Sequence, residues 1–173
     1  MEKAIFEKDF DTFAQLTMRD SNQFHSVCLD TYPPVFYLND TSKQIISVIS
    51  AYNRFVAPLG KGLQVAYTFD AGPNAVLFLQ KEHVPTVLKV LNHFFPPPTG
   101  PEAGEYFGRA QEFLSADVQV DDVLKEIKVP VCPPGTLKRI ISTHVGDGPR
   151  VLASTYDPAV SLLNMDGLPV SLV

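Results

Sequence analysis

The stretch at residues 63–80 constrains this chain most, because it combines two apolar runs with a tight polar turn. The runs occupy residues 65–69 and 75–79, and the sequence DAGPN lies between them at 70–74. β-Branched and aromatic residues that alternate along a run, next to a Gly-Pro turn, are typical of strands. We therefore predict two strands of one sheet, joined as a hairpin.

Asp70 is the unusual residue of this stretch, since a carboxylate directly follows an apolar strand and stands near Gly72. A glycine lets another group approach the backbone closely, and a strand end is a rigid mount for a reactive side chain. The common local role of Asp is different, because its side chain often caps a turn by bonding to the backbone two residues later. From this stretch alone both interpretations stay open.

Bulk composition narrows the class of protein. A chain of 173 residues with a hydrophobic fraction of 45% and a charged fraction of 19% has the values of one globular domain. The net charge of -5 comes without a basic stripe, which argues against a nucleic-acid partner. No apolar run reaches the roughly 18 residues of a membrane span, and the N-terminus lacks a signal-peptide pattern. We expect a cytoplasmic protein without a membrane segment.

The two cysteines, Cys28 and Cys132, have neither a CxxC arrangement nor metal-ligand spacing. Reduced thiols in an intracellular protein account for them. We therefore expect no metal site in this chain.

Helical spacing of apolar residues predicts most of the other elements. Long helices are predicted at residues 11–28 (capped by Asp9 or Asp11), from a cap at Asp40 or Thr41 to about 57, and at 81–95. Short helices are predicted at 1–7, 106–114 and 121–127, a strand at 137–145, and a docked tail at 150–173. Segregated helices beside adjacent strands indicate an α+β fold, with a mostly antiparallel sheet and helices on one face.

Two polar features permit more than one interpretation. Ser21 and His25 are one turn apart on a predicted helix and share a face. Such a pair suggests a nucleophile and its base, but a triad also needs an orienting acid and an oxyanion site. We favour a ligand-binding hydroxyl or a hydrogen-bonded histidine. The sequence GDGP at 146–149 could cradle an anion through backbone N–H groups or form an ordinary turn, which we favour.

The sequence FDAGPNA at 69–75, preceded by VAYT, resembles the signature of the mevalonate diphosphate decarboxylases, a family of the GHMP kinase superfamily. Four further stretches resemble the same family in the same order. They are FAQLTMRDSNQFHSVCLD at 13–30, PPVFYLNDTS at 33–42, THVGDGP at 143–149 and DGLP at 166–169. The resemblance covers nearly the whole chain.

The resemblance implies one ferredoxin-like α+β domain at residues 1–173, the C-terminal domain of a GHMP kinase. Enzymes of the family are much longer, and their N-terminal half carries a Lys-Tyr-Trp-Gly-Lys-like motif and a Ser- and Gly-rich phosphate loop for ATP. This chain has neither motif and contains no Trp. ATP and Mg²⁺, which the family reaction requires, would therefore be bound outside it.

The family reaction converts mevalonate 5-diphosphate to isopentenyl diphosphate. A tertiary hydroxyl is phosphorylated, and phosphate and carbon dioxide then leave. By resemblance Asp70 is the catalytic aspartate beside that hydroxyl, where it orients the group or takes its proton. The resemblance places the substrate-binding residues at Ser21, Asn22, Gly72 and Asn74. His25 is assigned a structural role.

Two functions remain open from the sequence. The chain is either the substrate-side half of a decarboxylase, inactive until an N-terminal half or another subunit completes it, or a shortened inactive paralogue that acts as a dimerisation or regulatory module. The family resemblance implies a homodimer. The first function also predicts an exposed apolar surface where the N-terminal half packs.

Overall fold

The structure, a computed structural model, describes residues 1–149, 151 and 161–169. The chain forms two compact units, Met1–Ser142 and Thr143–Val173. The helices of the first unit are α1 (Glu2–Phe6), α2 (Phe10–Asp30), α3 (Asp40–Val56), α4 (Val84–Phe94), α5 (Gln111–Leu114) and α6 (Asp121–Glu126). Its strands are β1 (Val65–Thr68) and β2 (Val76–Leu79). Short 3₁₀ turns lie at Ala57–Leu59, Lys81–His83, Pro101–Glu105 and Gly108–Ala110.

The two strands form the predicted antiparallel hairpin. Their register pairs Val65 with Leu79 and Thr68 with Val76. Strand β1 is almost wholly buried, whereas β2 exposes alternate side chains and turns the others toward the core. This difference follows from position, since α2 and α3 both pack against β1. The hairpin therefore presents the turn at 70–74 at one end of a buried strand.

The prediction of the capping residue is confirmed for α2 and is wrong for α3. Asp9 caps α2 by accepting a hydrogen bond from the Thr12 N–H at 3.0 Å. The predicted caps of α3, Asp40 and Thr41, are wrong because Asn39 occupies that position in a capping box with Ser42. Four successive cap-forming residues stand at 39–42, and local propensity does not choose among them.

The main core forms between the hairpin and the helices α3, α4 and α6. Its fully buried large side chains include Tyr52, Ile49, Val65, Val90, Phe94 and Phe95. A second cluster joins Leu88 to Tyr106, Phe107 and Ala110. Helix α6 confirms the predicted helix at 121–127, and the predicted helix at 106–114 is present as a 3₁₀ turn followed by α5.

The predicted strand at 137–145 is wrong. The backbone there is irregular, and the Ile140 N–H donates to the Tyr106 carbonyl at 2.7 Å instead of joining a ladder. Ile141 is 72% exposed, so the apolar residues do not share one buried face. In the described residues the only sheet is the β1–β2 pair, and with the helices it confirms the α+β class.

The second unit is irregular in its described part. Residues 143–149 are exposed over most of their length, including the GDGP loop. Farther along, the Asn164 side chain accepts from the N–H groups of Asp166 and Leu168, which closes the turn at DGLP. The tail predicted at 150–173 falls largely outside the described residues. Among the described helices, none combines the length and the apolar character that crossing a membrane requires.

Candidate functional site

Asp70 lies exposed at the end of β1. The turn that follows it is closed by its backbone, because the Gly72 N–H donates to the Asp70 carbonyl oxygen at 2.8 Å. The carboxylate itself has no hydrogen bond or ion pair with any residue of the described part. The side chain is therefore not used as a turn cap here and remains available to an incoming group.

Phe69, the residue before Asp70, is held by two side chains of α2. Its N–H donates to Ser21 Oγ at 3.0 Å, and Ser21 Oγ in turn donates to the Phe69 carbonyl at 3.4 Å. His25 Nε2 lies 3.3 Å from the same carbonyl oxygen. Because a carbonyl oxygen only accepts, this contact places the imidazole proton on Nε2. We call Ser21, His25 and the Phe69 backbone the Phe69 clamp.

The clamp provides hydrogen-bond partners for the backbone N–H and carbonyl of Phe69, which the sheet does not supply. The paired residues of β1 end at Thr68, opposite Val76. Phe69 is only 3% exposed, so unpaired backbone groups there would be costly. Ser21 and His25, which are 3% and 8% exposed, lie one turn apart on the buried face of α2 and reach both groups. Their shared face was predicted, and their target was not.

The clamp also bears on whether Ser21 and His25 could act as a nucleophile and its base. Both side chains bond to Phe69, and neither hydrogen-bonds to the other. Both are also buried. A nucleophile needs a base within hydrogen-bond reach and access to its substrate, so this arrangement does not support that role.

The other predicted binding residues lie on α2 and in the same turn. Asn22 is exposed on α2, and its Oδ1 accepts from the Tyr67 hydroxyl at 3.2 Å. Asn74 is exposed at the far end of the turn. Gly72 is half-buried, and no atom would lie within 4 Å of a Cβ built there, so the space beside it is open. Gly72 and Asn74 thus belong to the turn that Asp70 begins, Asn22 contacts Tyr67 of β1, and none of the three bonds to the Asp70 carboxylate.

Ser42 is a contact of this turn that the sequence did not reveal. Its hydroxyl, which is fully buried at the start of α3, donates to the Pro73 carbonyl at 3.0 Å. The spacing of Asn39 and Ser42 fits a capping box, but no local signal points from Ser42 to the turn. The turn at 70–74 is therefore held on one side by α2 and on the other by α3.

The described part of the chain offers no ready-made cluster of metal ligands. There, no group of three or more His, Cys, Asp or Glu side chains is arranged to hold a metal ion. A surface groove of about 880 Å³ lies elsewhere, among α3, α4 and α6, and Asp70 does not line it. Asp70 is exposed outside this groove.

Comparison with known proteins identifies the family of this chain. Residues 1–152 match the mevalonate 5-diphosphate decarboxylase C-terminal domain. The diphosphomevalonate decarboxylase of Rattus norvegicus is 47% identical over 169 residues, and that of Danio rerio is 45% identical over 169 residues. Each alignment covers 98% of this chain and 39% of the relative. The chain therefore spans about two-fifths of the length of these relatives.

Solved structures give the same result for the fold. A mevalonate diphosphate decarboxylase from Trypanosoma brucei superposes with a TM-score of 0.62 at 34% identity, covering 74% of this chain and 33% of the other. A crystal structure of a mevalonate 5-diphosphate decarboxylase gives 0.57 at 38% identity, covering 92% of this chain and 40% of the other. These findings confirm the resemblance carried by the DAGPN turn. The chain belongs to the mevalonate 5-diphosphate decarboxylase family and corresponds to its C-terminal domain.

Proposed function

We propose that this chain supplies the substrate-side catalytic part of an ATP-dependent mevalonate 5-diphosphate decarboxylase, which forms isopentenyl diphosphate. The observation that carries the proposal is the setting of Asp70. Its free carboxylate directly follows a buried residue whose N–H and C=O are both fixed by α2. A charged group on a rigid mount, with no partner in the described part of the chain, is suited to act on a ligand.

In this function Asp70 orients the tertiary hydroxyl of the substrate or accepts its proton. The exposed amides of Asn22 on α2 and Asn74 in the turn supply hydrogen-bond donors for oxygen atoms of the substrate. The open space beside Gly72 admits the substrate close to the backbone. Ser21 was assigned to substrate as well, and for that role its hydroxyl would have to leave Phe69.

ATP and Mg²⁺ belong to this proposal but not to this chain. The described residues offer neither a phosphate loop nor a cluster of metal ligands. The nucleotide would be held by the part of the relatives that the chain does not match, so the two parts together would enclose the substrate. Because phosphoryl transfer depends on positioning of the phosphates, we expect the 173-residue chain alone to be inactive.

A homodimeric, cytoplasmic enzyme completes the proposal. Support for a partner comes from large apolar side chains exposed at the end of α2 and in the following loop. They are Phe24, Val27, Leu29, Tyr32, Val35 and Phe36. Exposed apolar groups of this kind mark surfaces that pack against protein. The same surface also favours the second candidate function, an inactive module that binds decarboxylase subunits.

A hybrid enzyme tests the proposal. This chain replaces the matching C-terminal region of the rat relative, and ATP-dependent release of carbon dioxide from mevalonate 5-diphosphate is measured. We expect turnover in the hybrid and a loss of about 10²–10⁴-fold on Asp70→Asn, the usual contribution of a catalytic acid or base. Asp117→Asn, at an exposed Asp outside the turn, is the matched control and should keep full activity.

Two other results would change the functional assignment of Asp70 or of the chain. Full activity in the Asp70→Asn hybrid would remove the catalytic role of Asp70. A folded but inactive hybrid, together with co-sedimentation of the 173-residue chain and the complete rat enzyme, would favour the binding module.

A further inference from the structure

We propose that Ser21 and His25 are positioning residues, which set the direction of the Asp70 carboxylate by fixing the backbone of Phe69. The structural part of this inference is independent of the reaction, and its catalytic meaning rests on the proposed function. It differs from the role that the sequence suggested for Ser21, since the serine acts here through the backbone and not on the substrate.

Peptide geometry carries the effect from Phe69 to Asp70. The Phe69 carbonyl and the Asp70 nitrogen belong to one planar peptide unit. Hydrogen bonds from Ser21 Oγ and His25 Nε2 to the carbonyl oxygen, at 3.4 and 3.3 Å, therefore restrict rotation of the whole unit. The Asp70 Cα is part of that unit, so its position and the direction of its side chain are restricted as well.

Ser21 and His25, which hold the Phe69 carbonyl, are themselves fixed in position. Both lie on the buried face of α2, a helix of 21 residues. The His25 ring packs against Phe24, Tyr37 and Phe69, with centroid separations of 5.0, 6.3 and 6.5 Å. These edge-on contacts limit rotation of the imidazole and keep Nε2 directed at the carbonyl.

The arrangement beyond Asp70 supports the same conclusion. Ser42 holds the Pro73 carbonyl from α3, so the exposed turn is anchored on both sides by buried serine hydroxyls. The carbonyl groups of Phe69 and Pro73 are held by hydrogen bonds, whereas the Asp70 and Asn74 side chains are exposed. A rigid support under an exposed charged residue is the arrangement that productive geometry requires.

The same helix offers a matched control. Thr17 lies one turn before Ser21 on the buried face of α2 and is also nine-tenths buried. Unlike Ser21, its hydroxyl has no hydrogen-bond partner in the described structure. Thr17→Val thus removes a buried hydroxyl from this face without breaking a bond to Phe69.

The first measurement is amide hydrogen exchange on the 173-residue chain, read residue by residue by NMR. Ser21→Ala should speed exchange of the Phe69 amide by about 10-fold or more, as expected for a buried N–H that loses its acceptor. Amides of Val65–Thr68 should change less. Ser21→Thr, which keeps the hydroxyl, should restore protection, and Thr17→Val should not reduce it. Unchanged exchange in a folded Ser21→Ala chain would overturn the clamp.

His25→Phe provides a second variant in case Ser21→Ala does not fold. It keeps the aromatic packing and removes the Nε2 donor, so the carbonyl resonance of Phe69 and the amide resonance of Asp70 should shift. Absence of a shift at both nuclei would exclude His25 from the clamp.

Kinetics in the hybrid enzyme separate positioning from substrate binding. Ser21→Ala should lower kcat by about 10-fold or more with KM nearly unchanged, because a misdirected Asp70 affects the chemical step. Ser21→Thr should restore kcat, and Ser21→Ala should add little loss to Asp70→Asn. A raised KM with unchanged kcat would instead show a direct bond to substrate and overturn the proposal.

The outcomes also distinguish this inference from the proposed function. If exchange at Phe69 responds as expected but Asp70→Asn leaves the hybrid fully active, the clamp stands and the decarboxylase role of Asp70 fails. If Asp70→Asn abolishes turnover and Ser21→Ala changes neither exchange nor kcat, the function stands and the clamp fails.

Discussion

The Ser42 hydroxyl donates a hydrogen bond across 3.0 Å to the carbonyl oxygen of Pro73, which links the start of α3 to the turn that carries Asp70. The same residue completes the capping box of α3, since its N–H donates to Asn39 Oδ1 at 2.8 Å. One buried side chain therefore starts a helix and holds the loop at the candidate site.

Replacement of Ser42 tests this double role. Ser42→Ala should lower the free energy of unfolding by about 1–2 kcal/mol, because it removes half of a capping box and the part-buried hydrogen bond to the Pro73 carbonyl. Urea denaturation measures the loss. Ser47→Ala, at an exposed serine of α3 that bonds only to the Lys43 carbonyl, should change stability by less than about 0.5 kcal/mol. Equal effects of the two variants would contradict the role of Ser42.

A pair of glycines before β1 gives a second prediction. Both Gly60 and Gly62 have left-handed backbones, with φ of 74° and 62°. A Cβ at Gly62 would lie 3.0 Å from Asp11 Oδ1, the atom that accepts the Leu63 N–H at 2.7 Å, whereas nothing lies within 4 Å at Gly60.

Alanine substitution should therefore affect the two positions differently. Gly60→Ala should lower the free energy of unfolding by about 1 kcal/mol through backbone strain alone. Gly62→Ala should lower it by roughly 1 kcal/mol more, because the Asp11 carboxylate must move and its bond to Leu63 weakens. Thermal denaturation of both variants under one condition compares them, and equal losses would show that Asp11 adjusts freely.

Local sequence predicted the parts of the fold that depend on local chemistry. The hairpin at 65–79 was predictable because alternation and a Gly-Pro turn both act over a few residues. The helices followed from apolar periodicity in the same way. The strand at 137–145 failed because a strand needs a pairing partner, and here the Ile140 N–H bonds to the carbonyl of Tyr106 in a loop.

The candidate site shows the same division between features set by local sequence and contacts set by distant residues. Asp70, Gly72 and Asn74 share one turn because they are neighbours in the motif, and their roles stay predictions, as does the role of Asn22 on α2. The contacts that hold this turn join Ser21 to Phe69, 48 positions apart, and Ser42 to Pro73, 31 positions apart. A hydroxyl carries no local signal of its distant partner, so the support of the turn became visible only in three dimensions.

Two buried tyrosines should make stability depend on alkaline pH. Burial raises the pKa of Tyr52 to about 12 and, with a contribution from nearby Cys132, the pKa of Tyr106 to about 12 as well. In the unfolded chain both phenols have a pKa near 10. Between pH of about 10 and 12 the unfolded state has lost these protons while the folded state keeps them, so the free energy of unfolding falls as pH rises.

Urea denaturation from neutral pH to about pH 11 measures this dependence. Tyr52→Phe or Tyr106→Phe should reduce the fall in stability above about pH 10, since each removes one group that the folded state keeps protonated. Tyr32→Phe is the matched control, because it removes the hydroxyl of a tyrosine that is fully exposed. The same slope in all three variants would contradict the assignment to the buried phenols.

The unpartnered hydroxyl of Thr17 leads to a prediction of increased stability. This residue is 7% exposed, and its Oγ1 is buried without a hydrogen bond in the described structure. Thr17→Val keeps the volume and the branching at Cβ while it removes the cost of burying a polar group, so the free energy of unfolding should rise by about 1 kcal/mol. Thr17→Ser is the complementary variant, since it keeps the hydroxyl, loses a buried methyl and should destabilise by about 1 kcal/mol. Urea denaturation of both variants measures the difference. A loss of stability in Thr17→Val would mean that the hydroxyl has a partner, such as a buried water molecule, in solution.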